Sequence, residues 1–409
     1  MLDPEYLQTI TEGAEEIASE LHSDIIQRIV ERITIRIGRG DDYLLTPIDK
    51  WQLEILEEAG YLREELVELI AKKTKLEAKE IRKAFEDAGV ENLKYDDAVY
   101  KAAGLSPAPL KESPYMLRLL QRGYEATLGE WLNFTRTTAE ASQQLFIQEC
   151  DRAYNLAASG AVSYTQAYKE AIERIAKGGV KVKYPSGHED TIETATLRAV
   201  RTGVSQACAE ITDARMNEME WDIVLVSAHL GARVTEKEDF TNHYWWQGKF
   251  YSRSGDDPRF PPFELCGMGD VQGIHGANCR HSHGPGDGEN NPFQQYDAEE
   301  NKKLYELQQR QRAMERRIRK KKREVMTWKA SVDSLPEGST QKAEAKATYQ
   351  KEAAKLQKLN ERYNAFCEEN GMKPLRERLK VAGWDRSQAA KASRAAQKEK
   401  RKKEKHKDD

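Results

Sequence analysis

The sequence predicts a mainly α-helical protein with a small central α+β domain. Apolar residues recur at spacings of three and four over most of the chain, which is typical of amphipathic helices. Charged residues make up 33% of the 409 residues against 39% hydrophobic, and the mean hydropathy is −0.80. One stretch lacks the helical spacing and is rich in Gly, Pro and aromatic residues. We therefore divide the chain into an acidic helical region (1–179), an α+β domain (180–293), a basic helical hairpin (294–384) and a disordered basic tail (385–409).

The N-terminal half is predicted to be helical throughout. The spacing of apolar residues over 5–37 indicates one long helix, and further helices follow with expected breaks at Gly60 and Gly89. The Pro-rich segment GLSPAPLKESP at 104–114 predicts a connector. After it, 115–177 is expected to form two or three helices.

The central domain is expected to be mixed. VKVKYPSGHEDTIET alternates apolar and polar residues around a Pro-Ser-Gly turn, which predicts a β-hairpin or a strand followed by a loop, and TATLRAVRTGVSQACAEITDARMNEM returns to helical spacing. The β-branched run at 223–226 predicts a buried strand. The segment from 241 to 292 is predicted to be irregular.

The C-terminal part has a heptad pattern from Tyr296 onward. A second helix after SVDSLPEGST predicts an antiparallel, coiled-coil-like hairpin over 296–368. The tail has no large apolar residue after Trp384, so we expect it to be disordered. The seam positions of the first helix are Leu304, Leu307, Met314, Ile318, Val325 and Trp328, with polar Gln311 and Lys321 as the exceptions.

Charge is distributed unevenly along the chain. Residues 1–300 carry a net charge of −19 and residues 301–409 a net charge of +16. This polarity favours double-stranded DNA, bound without sequence preference, as partner of the basic end and a protein as partner of the acidic end. The alternative is that the basic helices pair only with the protein's own acidic half. The candidate DNA-contacting residues are Arg312, Arg316, Arg317, Arg319, Lys320, Lys321, Lys322, Arg323, Lys398, Lys400, Arg401, Lys402 and Lys403.

Some classes of protein do not fit the sequence. MLDPEYLQTITEGAEE lacks the basic and apolar regions of a secretory signal, and the apolar runs are too short for a bilayer, so we expect synthesis in the cytoplasm and no membrane contact. Five scattered cysteines indicate reduced thiols rather than a disulfide framework.

Zinc binding was weighed for one group of residues. Cys266, Cys279, His281 and His283 offer thiolate and imidazole donors, but their spacing matches none of the common zinc motifs. We therefore interpret Cys279 as a buried small hydrophobe and expect no metal and no cofactor.

A second group suggests catalysis. His229 and His243 are suitable as acid and base and Arg233 as an anion-stabilising group, as a histidine- or metal-dependent nuclease would require. The same stretch, with its double tryptophan and Gln-Gly-Lys turn, is also suited to the core of a small domain. We favour the packing role and expect no enzymatic activity.

Several ordered motifs carry a resemblance. KYPSGHEDTIETATLRAVRTGVSQACAEITDARMNEMEWDIVLVSAHLGAR, WQGKFYSRSG, GANCRH, YELQQRQRAMERRIRKKKRE and FCEENG resemble, in this order over about 180–370, the minor capsid protein 2 family of tailed bacteriophages, akin to the Mu F-like head morphogenesis proteins. The resemblance implies a structural protein inside the phage head, next to the portal protein and the major capsid or scaffold protein, that assists head morphogenesis, DNA packaging or DNA delivery. The positions that match the family motif are His229, Gly231, Ala232, Arg233, Trp246, Gln247, Gly248, Lys249, Asn278, Cys279, Arg280 and His281.

Overall fold

The computed structural model describes residues 1–184, 186–293 and 295–408, and it confirms a mainly helical chain with a small α+β part. In these residues, no helix has both the length and the apolar character needed to cross a membrane. The α-helices are α1 (Tyr6–Thr9), α2 (Glu12–Ile33), α3 (Ile48–Ala102), α4 (Pro114–Ala158), α5 (Tyr164–Gly178), α6 (Ile192–Glu218), α7 (His243–Trp246), α8 (Ala298–Ser334), α9 (Thr340–Glu369) and α10 (Arg386–Asp408). The strands are β1 (Val182–Lys183), β2 (Glu189–Asp190), β3 (Ile223–Val226), β4 (Phe250–Ser252) and β5 (His283–Pro285).

The first helices differ from the prediction in their boundaries. The single helix expected over 5–37 is divided into α1 and α2 and continues as a π-helical turn at Thr34–Gly38. The breaks expected at Gly60 and Gly89 are wrong, because α3 runs without interruption for 55 residues. A glycine inside a helix costs only about 1 kcal/mol relative to alanine, so strong helix formers on both sides carry the helix through it.

The chain forms two compact units, each assembled from three segments. Unit 1 consists of Met1–Glu15, Lys75–Leu132 and Thr194–Gln309, and unit 2 consists of Glu16–Thr74, Asn133–Glu193 and Arg310–Asp409. The four-part division of the sequence at 179, 293 and 384 stays a prediction.

Unit 1 contains a close packing of helices beside a small sheet. A methyl group placed on Gly123 of α4 would lie 2.8 Å from the Cβ of Ala207 on α6 and 2.9 Å from the ring of Phe85 on α3, so this glycine permits close approach of the helices. The sheet is antiparallel with the order β4-β3-β5. The central strand, predicted from its β-branched run, is confirmed and is buried from Val224 to Val226.

Unit 2 contains the predicted β-hairpin and the predicted helical hairpin. Val182 pairs with Asp190 in the two-stranded sheet β1-β2. The antiparallel hairpin of α8 and α9 is confirmed, since Tyr363 donates to Glu315 at 3.0 Å and Lys321 reaches Glu352 at 2.7 Å. Of the seam residues in unit 2, Ile318, Val325 and Trp328 are buried, as is polar Gln311, and Met314 is half-buried. The seam residues Leu304 and Leu307 are half-buried and belong to unit 1.

The C-terminal tail corrects one prediction. Residues 385–409 were expected to be disordered, but α10 is helical over Arg386–Asp408 and packs on α9. Ala392, Ala395 and Ala396 are buried, and Lys402 donates to the side chain of Gln350 at 3.0 Å. Alanine has the highest helix propensity and its small side chain lets two helices approach closely, so a helix forms here without large apolar residues.

Candidate functional site

The motif residues of the central domain converge on the ring of His281 in unit 1. His229 follows β3 and stacks on this ring with 4.4 Å between centroids. His243 and Trp246, at the two ends of the short helix α7, lie nearly edge-on to it at 5.3 and 4.8 Å. Residues from three separate parts of the sequence thus form one cluster. We call it the histidine cluster: His229, His243, Trp246, Gln247, Cys279 and His281.

Gln247 holds two members of the cluster through one atom. Its Oε1 accepts from the backbone N–H of His229 at 3.1 Å and from Nε2 of His281 at 3.0 Å. Because a backbone N–H can only donate, the amide of Gln247 must present its oxygen to both groups. The proton of neutral His281 is therefore on Nε2, which leaves a lone pair on Nδ1.

Cys279 lies on the side of His281 that carries this lone pair. The distance from its Sγ to Nδ1 of His281 is 3.7 Å, and the same sulfur accepts from the backbone N–H of His281 at 3.3 Å. Burial raises the pKa of the Cys279 thiol to about 11 and lowers the pKa of His281 well below its ordinary value. Both groups are neutral at pH 7.

His243 is held in the same way from a different loop. Its Nε2 donates to the backbone oxygen of Gln272 at 2.8 Å. Arg233 donates to that oxygen and to the backbone oxygen of Ala277, both at 3.1 Å. Burial, together with the positive charge of Arg233, lowers the pKa of His243 to about 4, so the ring is uncharged at neutral pH.

The loop after β3 is fixed by an asparagine that the sequence analysis did not single out. The buried Asn301, in the first turn of α8, accepts from the backbone N–H groups of Gly231 at 2.8 Å and Ala232 at 3.0 Å. It also donates to the backbone oxygen of Ala232 at 3.1 Å. The signal available in the sequence was a lone asparagine near the start of a predicted helix, which is too common to stand out.

The remaining motif residues are used in turns and local bonds. Gly231, Gly248 and Asn278 adopt positive φ angles of 78°, 63° and 61°. Arg280 donates to Nδ1 of His229 at 3.2 Å, and exposed Lys249 donates to the backbone oxygen of Trp245 at 2.5 Å. These contacts fit the interpretation of the motif as the ordered core and turns of a domain.

The nuclease alternative meets an obstacle in this geometry. His243 is 2% exposed and His229 is half-buried, and the guanidinium of Arg233 is directed to backbone carbonyl oxygens. Acid–base chemistry on a phosphodiester requires these groups to reach the substrate. The arrangement favours packing of loops around a strand.

The four residues weighed as zinc ligands are divided between two places. Cys279 and His281 belong to the histidine cluster, and Cys266 is buried in the same hydrophobic core as Cys279. His283 instead accepts at Nδ1 from Nε2 of His275 at 2.8 Å. His283 in turn donates to Asp213 at 3.3 Å. Burial would raise the pKa of Asp213, but the hydrogen bond from His283 and the nearby charge of Arg253 bring it below the ordinary value.

This second histidine pair was missed by the sequence analysis. With Asp213 ionised, His283 accepts from His275, and the remaining nitrogen of His275, Nδ1, accepts from the hydroxyl of Ser205 at 2.8 Å. Ser205, His275 and His283 are buried and Asp213 is half-buried, so the four residues form a polar chain that leads out of the core and in which each donor has an acceptor.

The candidate DNA-contacting residues differ in their exposure and in their bonds within the protein. Within unit 2, Arg319 donates to the backbone oxygen of Arg378 and Lys322 to that of Leu379, both at 2.5 Å. Burial lowers the pKa of Lys322 to about 8. Arg323 bonds to buried Glu193, and Arg312 is half-buried. The side chain of Lys403 lies outside the described residues. The exposed candidates are Arg316, Arg317, Lys320, Lys398, Lys400, Arg401 and Lys402.

Fold and site together define a mainly helical protein with a histidine-rich α+β core and basic C-terminal helices. A family model described as phage minor capsid protein 2 matches residues 2–367. The chain belongs to the phage minor capsid protein 2 family and is a component of the virion. Searches among curated proteins and among solved structures found no match to the chain.

Proposed function

We propose that this phage minor capsid protein lies inside the head at the portal and assists head morphogenesis, DNA packaging or DNA delivery. In this role its basic C-terminal region contacts double-stranded DNA without reading its sequence. The observation that carries the proposal is the set of exposed cations on α8 and α10, in a region of net charge +16. Such residues neutralise phosphates and release counterions, which is the sequence-independent part of DNA binding.

The described cations of α8 do not contribute equally in this proposal. Arg316, Arg317 and Lys320 are exposed, whereas Lys321 is paired with Glu324 and Glu352 inside unit 2. We assign phosphate contact on α8 to the exposed three. The internally bonded cations stabilise the hairpin instead.

The acidic helical region is the part that we propose to dock on the portal, major capsid or scaffold protein. Exposed apolar side chains among acidic neighbours on α3 support this, because such residues favour a protein partner. Leu53 and Leu56 are 68% and 56% exposed. Virions assembled with Leu53→Glu/Leu56→Glu should contain less of this protein than wild-type virions, and normal incorporation would contradict the docking assignment.

The DNA contact is tested with the full-length protein and a duplex of arbitrary sequence. Binding should weaken steeply with salt, and Arg316→Glu/Arg317→Glu/Lys320→Glu should lower both the affinity and the magnitude of the salt slope, by up to about 3 for three lost phosphate contacts. The matched control is Arg63→Glu/Lys101→Glu/Lys111→Glu, which reverses three exposed cations outside the proposed surface. Salt-independent binding, or an equal loss in the control, would overturn the proposal.

A further inference from the structure

We propose that His243, Cys279 and His281 form a binding site for a transition metal ion of the zinc type. One donor atom from each of the three residues lies within 4.8 Å of the others, and all three side chains are buried. Two imidazoles and one cysteine, which binds as the thiolate and releases its proton to solvent, are donors that zinc prefers in proteins. Among the described residues, these three form the one group of histidine, cysteine and carboxylate side chains that meets this distance.

The distances agree with tetrahedral coordination after a small closure. Zinc lies about 2.0–2.3 Å from nitrogen and sulfur ligands, which places two ligand atoms of a tetrahedron about 3.3–3.8 Å apart. Sγ of Cys279 and Nδ1 of His281 already satisfy this at 3.7 Å. Since every pair in the group lies within 4.8 Å, a shift of no more than about 1 Å brings the others to the same spacing.

The hydrogen bonds of the two histidines fix which nitrogen of each ring can bind an ion. Nε2 of His243 donates to the backbone oxygen of Gln272, and Nε2 of His281 donates to Oε1 of Gln247. Each neutral ring therefore keeps a lone pair on Nδ1. A histidine ligand whose second nitrogen donates to a carbonyl oxygen is the usual arrangement around a bound metal, because it fixes both the tautomer and the ring orientation.

The three ligands would join two segments that have little regular structure. His243 begins the four-residue helix α7, and Cys279 and His281 lie in the loop that leads into β5. Three protein ligands leave the fourth coordination position to a water molecule. An ion here would crosslink the loops of the small α+β core, where the sheet has only three short strands.

The chain offers a matched control in Cys266. This thiol is 0% exposed and belongs to the same hydrophobic core cluster as Cys279. It is a cysteine of similar burial that lies outside the three-residue group.

The test uses full-length protein, stripped of metal and then titrated with Zn²⁺ and, separately, with Co²⁺. We expect one ion bound per chain, a rise in melting temperature with Zn²⁺, and a thiolate-to-cobalt absorption band with Co²⁺. Cys279→Ser should abolish the absorption band, and His243→Gln should weaken binding at least tenfold. Cys266→Ser should behave as the wild type.

The wild-type titration decides the proposal even if a variant fails to fold. Binding of clearly less than one ion per chain by folded wild-type protein would overturn it. A cobalt band that persists in Cys279→Ser, or that is lost in folded Cys266→Ser, would overturn it as well.

Discussion

The Nε2–H of His281 donates to Oε1 of Gln247 at 3.0 Å, inside unit 1. The same oxygen accepts from the backbone N–H of His229. Gln247 thus orients a histidine ring and the loop after β3 with a single atom. This relationship explains why a Gln-Gly turn next to two tryptophans matters to the domain.

Replacing Gln247 with leucine should destabilise the protein. The substitution leaves two donors near the core without an acceptor, and each unsatisfied buried group costs about 1–3 kcal/mol. We expect a loss of about 2–4 kcal/mol in the free energy of unfolding. Denaturant titration monitored by circular dichroism measures this loss. The control Gln144→Leu, at an exposed position of α4, should change it by less than about 0.5 kcal/mol. Equal stability of the two variants would refute the role of Gln247.

Gly123 should not tolerate a methyl group. In Gly123→Ala the new Cβ meets Ala207 and Phe85, and overpacking of this kind costs about 1–3 kcal/mol. Gly129, in the same helix, has free space around its Cβ position, so Gly129→Ala should stabilise the protein by up to about 1 kcal/mol. The melting temperatures of the two variants should therefore shift in opposite directions, and a shift in the same direction would argue against the close helix packing.

His22 should make unit 2 sensitive to acid. Burial lowers its pKa from 6.5 to about 4, while Glu193 opposes this and Arg323 and Lys181 add to it. As the pH falls, His22 is protonated in the unfolded chain before it is protonated in the folded one. The contribution of neutral His22 to the free energy of unfolding is therefore present above pH 6.5 and is lost as the pH falls toward 4.

The corresponding measurement compares wild type with His22→Gln at several pH values. Between pH 7 and pH 5 the wild type should lose about 2 kcal/mol more unfolding free energy than the variant. Parallel curves for the two proteins would show that His22 is not buried in its neutral form.

The packing of α10 on α9 can be tested at neighbouring positions. Ala396 is buried and Ser393 is exposed. Ala396→Glu places a carboxylate in the helix contact and should release α10, whereas Ser393→Glu should leave it in place. Hydrogen exchange of the amides in 386–400 reports the difference. Rapid exchange in the wild type would instead support the disordered tail that composition suggested.

Sequence patterns predicted the parts of the fold that depend on local periodicity. The β1-β2 hairpin and the α8-α9 hairpin follow from the spacing of apolar residues, and the strand at 223–226 follows from its β-branched run. Helix ends were less predictable. Gly60 and Gly89 lie inside α3, because the high helix propensity of the residues around them compensates for the low propensity of glycine. The alanine contacts of α10 were missed because a search for large apolar residues cannot detect packing by small ones.

The sequence motif contains most residues of the histidine cluster but does not indicate which of them are in contact. The motif named His229, Gln247, Cys279 and His281, yet the sequence alone could not place His243 beside Cys279, because 36 positions of irregular chain separate them. For the same reason the sequence did not reveal the role of Asn301, which lies at the start of α8 and accepts a hydrogen bond from the backbone of Gly231. Contacts between distant loops depend on the tertiary fold and leave no periodic trace.

The position of the protein in the virion is the central claim, and an asymmetric cryo-electron microscopy reconstruction of the DNA-filled head tests it most directly. We expect density for this chain on the inner side of the portal, with α8 and α10 facing the packaged DNA. Density on the outer surface of the capsid, or with these basic helices turned away from the DNA, would contradict the account.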